Sequence, residues 1–289
     1  MTFAIVGVTG NTGRAAAEAL LAKGKSVRVV VRDAAKGEAW RAKGAEIAVA
    51  DLHDPVALAR AFAGATGVYV LVPPNMTTPD VRGYQDRTVD ALAEAVKQSG
   101  VPHVVLLSSV GAQHAAGTGP IAALHRAEAR LSGIEGTKLT ALRAAYFMEN
   151  LGGSLSMLAQ GVLPSFLPKD LKFDMIAAAD IGRLAADLLL EGTAAPGVVE
   201  LGGPARSMAD AAAELSAIVG KPIAVHEAPV EAMAATLAGY GMPQEMARLY
   251  QEMTAGMLSG HVAFEGGHRR VQGTTPLATV LRGLVAGAK

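Results

Sequence analysis

Along the first half of the chain, short apolar runs alternate with longer stretches in which apolar positions recur every third or fourth residue. The short runs read as buried strands and the longer ones as amphipathic helices, a βαβ succession that builds a parallel sheet. Strands are expected at Phe3–Val8, Val27–Val31, Glu46–Ala50, Gly67–Val72, Val104–Leu107 and Leu139–Leu142. A helix is expected from just after Gly13 to Gly24, where glycine tolerates the positive φ of a helix end. Another should open at Asp54-Pro55, an N-cap acceptor followed by a residue with no N–H to leave unpaired.

Past Asn150 the alternation loosens. LPSFLPKDLKF, with its two prolines, reads as a loop crossing to a new region. Asp180 is then expected to cap a helix reaching Glu191, VVELGG to form a short strand ending in a turn, and MADAAAELSAIVG to form a helix ending at Gly220. Pro229 to Ser259 is helical in pattern and rich in methionine. The expected division is a Rossmann domain over 1–150 and a smaller α/β substrate-cleft region over 151–289, with the helix near 180–191 packing back on the first.

Composition supports a doubly wound α/β fold. Of 289 residues, 51% are hydrophobic, 18% charged and only 4% aromatic, so small aliphatic side chains do most of the packing. Lys plus Arg equals Asp plus Glu at 26 each, so no overall field favours nucleic acid or an anionic membrane. With no cysteine, disulfides, thiolate catalysis and Cys-ligated zinc are excluded. His226, His261 and His268 have no metal-ligand spacing, so no metal site is expected. The start, MTFAIVGVTG, lacks the basic then apolar pattern of a signal peptide, and no uncharged apolar run approaches membrane-spanning length. The expected compartment is the cytoplasm, with a homo-oligomer left open.

The chemistry begins at AIVGVTGNTGR. Gly7 permits the tight turn, Gly10 lets the backbone approach a pyrophosphate, and Gly13 allows close helix packing. Thr9, Asn11, Thr12 and Arg14 complete the loop, and the free N–H groups of the helix N-terminus favour an anion. The spacing differs from the usual G-x-G-x-x-G, and the strand before and helix after are what give it meaning. About 20 residues on, where an NAD site usually presents an acid, VVVRD presents Arg32 first. Its fork suits a 2′-phosphate, with Lys36 or Arg14 assisting, so NADP(H) is expected to be preferred. Asp33 is the alternative, taking the acidic role and allowing NAD(H).

Asp51, followed by Leu52, ends the third strand, either accepting from an adenine amino group or serving as a polar strand end beside Asp54. After Val72 the prolines Pro73 and Pro74 force the chain out of the sheet at the edge where α/β ligands bind. Ser108 and Ser109 arrive at the same edge, where either orients a nicotinamide or a substrate carbonyl, or simply caps the strand end.

Taken together, GVTGNTGR, VVVRD, LVPP, LLSSVGA, LHRAEARL, LRAAYFMEN, AAADIGRLAADLL and ELGGPARSMADAAAELSAIVG resemble the NmrA-like branch of the atypical short-chain dehydrogenases/reductases over nearly the whole chain. The resemblance implies NAD(P)H binding and a substrate cleft walled by Val110, Tyr146, Phe147 and Asn150. Short-chain dehydrogenases of the common type use Tyr-x-x-x-Lys, in which the phenol is the general acid. Here Tyr69, Tyr84, Tyr146, Tyr240 and Tyr250 are followed four residues later by Pro73, Thr88, Asn150, Gln244 and Thr254, so the pair is missing. Ile121, His125, Arg126 and Glu128 occupy its helix. His125 is the remaining titratable candidate for catalysis, with packing as the plainer role. Met233, Met242, Met246, Met253 and Met257 form either an adaptable lid or partner surface, or core filling.

Two functions follow. An NADPH-dependent reductase of the quinone-reducing type fits the missing acid: hydride addition to a quinone leaves a phenolate-like oxygen with a conjugate acid of pKa about 10, which water protonates unaided. The resemblance also implies a second class, a dinucleotide-binding redox sensor that acts through a protein partner without turnover.

Overall fold

Phe3 and Ile5 face one way along the first strand and Ala4 and Val6 the other, and all four are at most 2% exposed, so their sheet is covered on both faces. The computed structural model describes residues 1–287. The first half runs β1 (Thr2–Val6), α1 (Asn11–Ala22), β2 (Ser26–Val31), α2 (Glu38–Arg41), β3 (Glu46–Val49), α3 (Pro55–Phe62), β4 (Gly67–Leu71), α4 (Val81–Ser99), β5 (His103–Ser109), α5 (Ala122–Ser132) and β6 (Lys138–Ala144). The second half runs β7 (Tyr146–Phe147), β8 (Val162–Ser165), β9 (Phe173–Ile176), α6 (Ala178–Glu191), β10 (Val198–Gly202), β11 (Ala205–Arg206), α7 (Met208–Val219), β12 (Ala224–Glu227), α8 (Met233–Gly239), α9 (Gln244–Ser259), β13 (Arg269–Gln272) and α10 (Leu277–Gly287).

Eight strands form one parallel sheet in the order β3-β2-β1-β4-β5-β6-β10-β13. This is the doubly wound Rossmann arrangement, whose order reverses between β1 and β4, where a crevice opens at the carboxyl ends of the strands. Helices α1 and α6 cover one face, and α3, α4 and α5 the other. A separate core gathers Met148, Leu163, Met175, Leu215 and Leu281 from the chain after β6, including α7 and α10.

The structure revises four local expectations. VVELGG joins the main sheet as β10, and β13 follows it there, so residues beyond 150 are shared between the sheet and the smaller core. LPSFLPKDLKF is a loop only in part, because Val162–Ser165 is β8, paired with β12, and Phe173 starts β9. Pro164 is tolerated in a sheet of only two strands, where each strand is an edge. Helix α1 starts at Asn11, with Gly10 as its N-cap, so Gly13 lies inside the first turn.

Asp180 does not cap its own helix. α6 begins at Ala178, whose N–H donates to the Glu149 carboxylate at 2.9 and 3.1 Å. Asp180, buried at 7% exposure, instead accepts the Thr275 N–H at 3.0 Å and pairs with Arg183, tying the chain after β13 to α6. Burial raises the Glu149 pKa, opposed by its bond to Ala178.

Helix α6 meets α1 through Gly182, where an added Cβ would lie 2.4 Å from Ala15 Cβ and 2.6 Å from the Thr12 carbonyl oxygen. Both neighbours are helix atoms that cannot swing aside. Gly182→Val should therefore destabilise the protein by about 1–3 kcal/mol through overpacking. An unchanged urea midpoint would show that the helices separate freely.

Candidate active site

Three constraints shape the turn between β1 and α1. Gly7 has φ +75°, a conformation suited to glycine. Gly13 is buried, and a Cβ there would lie 2.5 Å from the Gly7 carbonyl oxygen. Gly10 differs: its φ is −97°, and an added Cβ would meet only the Gly7 oxygen, at 3.4 Å, so the third constraint is not steric. As N-cap, Gly10 offers no side chain, and the first turn of α1 contains no acid. The helix therefore presents uncapped N–H groups and an electropositive end, which fit a phosphate.

At the end of β2, Arg32 and Lys36 are exposed, and neither side chain has a hydrogen-bond or ion-pair partner among the described residues. Asp33 turns into its own loop, where its carboxylate accepts the Ala35 N–H at 3.0 Å. Arg14 donates to Asn11 Oδ1 at 3.1 Å. Asp51 accepts the His53 N–H at 2.9 Å, and Leu52 packs against the core beneath α3 and α4.

Beside this turn a cleft of about 730 Å³ opens at the carboxyl ends of the strands. It brings together Asn11, Thr12, Val72, Pro74, Ser108, Ser109, Val110, Tyr146, Phe147 and Asn150. Pro73 and Asp51 are not part of its lining, and Gly7, Thr9, Gly10, Gly13, Arg14, Arg32 and Lys36 lie outside it at the turn and the end of β2. The opposite wall carries Met246, Tyr250, Met253 and Met257 of α9, with Val262 and Phe264 of the segment that follows. Methionine was thus a wall here as well as core, since Met246 is 1% exposed. Tyr146 meets Phe173 edge to face at 5.2 Å between centroids, and the Arg270 guanidinium lies 4.3 Å above the Phe264 ring.

The hydroxyls at the end of β5 are already committed. Ser108 donates to Glu128 Oε1 at 2.5 Å, and Arg143 grips the Glu128 carboxylate with two bonds of 3.0 and 2.7 Å. Arg143 also donates to Glu265 at 2.6 Å. Burial works against the Arg143 charge, but the Glu128 and Glu265 carboxylates more than offset it and raise its pKa. Paired in this way Glu128 can only accept, so Ser108 must be the donor. Ser109 gives its proton to the Val110 carbonyl at 3.0 Å. Among the tyrosines, burial pushes the Tyr146 pKa up to about 12, with Tyr250 adding to the shift and a hydrogen bond with Asn150 opposing it. Burial raises Tyr250 as well.

His125 lies outside this cleft. Its neighbour Leu124 lines the cleft, but His125 lines a second cavity of about 520 Å³ between α5, β6 and β10, where its Nδ1 bonds the Ala112 carbonyl at 2.9 Å. Successive helix residues are rotated by about 100°, so one faces the cleft and the next does not. The cleft residues beyond sequence reasoning include Phe264, on the segment before β13, Arg270 of β13, and Phe173 and Asp174 of β9. The only signal for Arg270 was a short charged run, RRVQ, which pattern alone does not mark as a strand.

A parallel sheet with an uncapped glycine turn and a cleft at its switch point defines the class of Rossmann-type nucleotide-binding proteins. Within that class the chain belongs to the NmrA-like family, whose model matches residues 1–263. It is 30% identical over 258 residues to an NAD(P)H azoreductase of Xenophilus azovorans, covering 87% of this chain and 85% of that one. To quinone oxidoreductase 2 of Escherichia coli it is 27% identical over 263 residues, covering 89% and 88%. A solved structure of the Escherichia coli NADPH-dependent quinone oxidoreductase complexed with NADPH superposes with a TM-score of 0.79 at 25% identity, covering 98% of this chain and 99% of that one. A triphenylmethane reductase from Citrobacter sp. shares the fold with a TM-score of 0.78 at 19% identity, covering 99% and 100%.

The turn yields a paired test. Gly10→Val should leave the fold intact and abolish dinucleotide binding, because its side chain occupies space the protein leaves open, whereas Gly13→Val should destabilise the protein itself. Circular dichroism and melting separate these outcomes from calorimetric binding. Full affinity in folded Gly10→Val would remove the turn from the site.

Proposed function

We propose that this protein is an NADPH-dependent reductase of flat, conjugated acceptors, quinones first among them. When bound, the dinucleotide supplies the hydride. The uncapped start of α1 receives the pyrophosphate, and Arg32 with Lys36 receives the 2′-phosphate, a role that Asp33 leaves open by bonding within its own turn. Ser108, its proton held by Glu128, offers lone pairs to the cleft and so suits an N–H donor such as a carboxamide.

The observation that carries the acceptor class is the commitment of the strand-end protons. Ser108 and Ser109 both donate to protein acceptors, and burial makes Tyr146 and Tyr250 weaker acids than an ordinary phenol. No lysine lines the cleft among the described residues, and its arginine, Arg270, is paired with Asp174. Such a site gives poor help to the strongly basic alkoxide formed from a simple ketone. It suffices for an acceptor whose reduced form is a phenolate-like anion. The aromatic and thioether walls suit a flat ring system. Relatives named as an azoreductase and a quinone oxidoreductase support the same reading.

Two measurements test it. In an anaerobic assay, NADPH should be oxidised by quinones and left untouched by unactivated ketones; rapid ketone reduction would refute the acceptor class. NADPH that binds but is oxidised by no acceptor would favour the sensor instead.

Arg32→Ala should weaken NADPH binding about ten- to a hundredfold, the range of a lost charge-assisted hydrogen bond, and leave NADH binding unchanged. Equal affinities for the two dinucleotides in the unmodified protein would remove Arg32 from the choice.

A further inference from the structure

Tyr69 lies on β4 directly beneath the first turn of α1 and is 0% exposed. Its phenolic oxygen is 2.9 Å from Thr12 Oγ1, and no other side-chain hydrogen bond reaches either oxygen among the described residues. A phenol sealed from water must donate its proton or leave it unpaired at a cost, and Thr12 is the available acceptor. Burial holds the Tyr69 pKa well above its ordinary value, so the proton is present. The direction of the bond is therefore fixed. Thr12 accepts from Tyr69, so its own proton is left without a protein acceptor among the described residues, and Thr12 lines the cleft beside the uncapped N–H groups of α1.

We propose that Tyr69 is a positioning residue for the dinucleotide: by donating to Thr12 Oγ1 it turns the Thr12 hydroxyl outward as a side-chain donor to a pyrophosphate oxygen. This rests on the functional reading above and adds to it a residue that never touches the ligand. Packing alone does not call for the phenolic oxygen, since phenylalanine would fill the same space without a buried polar group to satisfy.

A double-mutant cycle read by calorimetric NADPH binding tests the coupling, with circular dichroism as the check on folding. Thr12→Val should weaken binding about ten- to a hundredfold, as expected for losing a hydrogen bond to a charged group. Tyr69→Phe should weaken it by a smaller factor, about three- to tenfold on the scale of an ordinary hydrogen bond. The double variant should bind no worse than Thr12→Val alone, because the phenol acts only through that hydroxyl.

Thr12→Ser, which keeps the hydroxyl, should retain affinity within about twofold, a few tenths of the energy scale of one bond. This arm stands even if Tyr69→Phe folds poorly. Tyr69→Phe with unchanged affinity, losses that multiply in the double variant, or a Thr12→Ser loss as large as that of Thr12→Val would each overturn the proposal. An unmodified protein that binds neither NADPH nor NADH would overturn the functional reading along with it. Tight binding by the unmodified protein with a flat cycle would overturn this inference alone.

Discussion

Helix α1 has no room to move. Its start is pressed against the Gly7 carbonyl at Gly13 and crossed by α6 at Gly182, and at both places a single added carbon would sit closer to its neighbours than atoms can. Close packing on two sides fixes where the free N–H groups of the helix point, and their direction is what makes a turn into an anion site. Gly10, between these contacts, is open. Glu149 sets the start of α6 by accepting the Ala178 N–H, so the LRAAYFMEN and AAADIG segments act as one brace on the glycine turn.

A second constraint lies under the cleft floor. Glu128 and Arg143 form a buried ion pair that extends to the exposed Glu265, and Glu200, 1% exposed, accepts the Gly266 N–H at 2.8 Å. Buried pairs are weak evidence of net stability, but removing one partner typically costs about 3–5 kcal/mol because a charge is left unpaired. What the network specifies is position. It holds Ser108 as a donor to the protein, and through Glu265 and Gly266 it pins the segment that carries Val262 and Phe264 to the cleft wall.

The first six strands of the main sheet were legible because each is a local apolar run with its own glycine or polar punctuation, and Tyr146, Phe147 and Asn150 line the cleft. β13 was not legible. In RRVQ the arginines are satisfied by Glu191, Asp174 and Glu200, partners at least 70 residues away in sequence on the order of the sheet's longest crossovers, so no local pattern announces a strand. Asp180 looked like a cap because an acid near a helix start ordinarily is one, yet its carboxylate is taken by Thr275. For His125 the sequence shows a residue type suited to the chemistry but not the direction in which the helix turns it, which is toward another cavity.

The two sides of the cleft therefore have different origins. The floor, from Thr12 to Ser109, consists of strand ends and a helix start locked into the parallel sheet. The opposite wall rides on α9, which is anchored to α4 through the small cluster of Val81, Met246 and Leu249, and on the segment leading into β13. Met253 and Met257 present flexible thioethers to the cavity, able to follow ligands of differing outline at little cost. That wall can change shape while the turn, the brace and the buried network stay unchanged, so the cleft's outline is set separately from the framework beneath it.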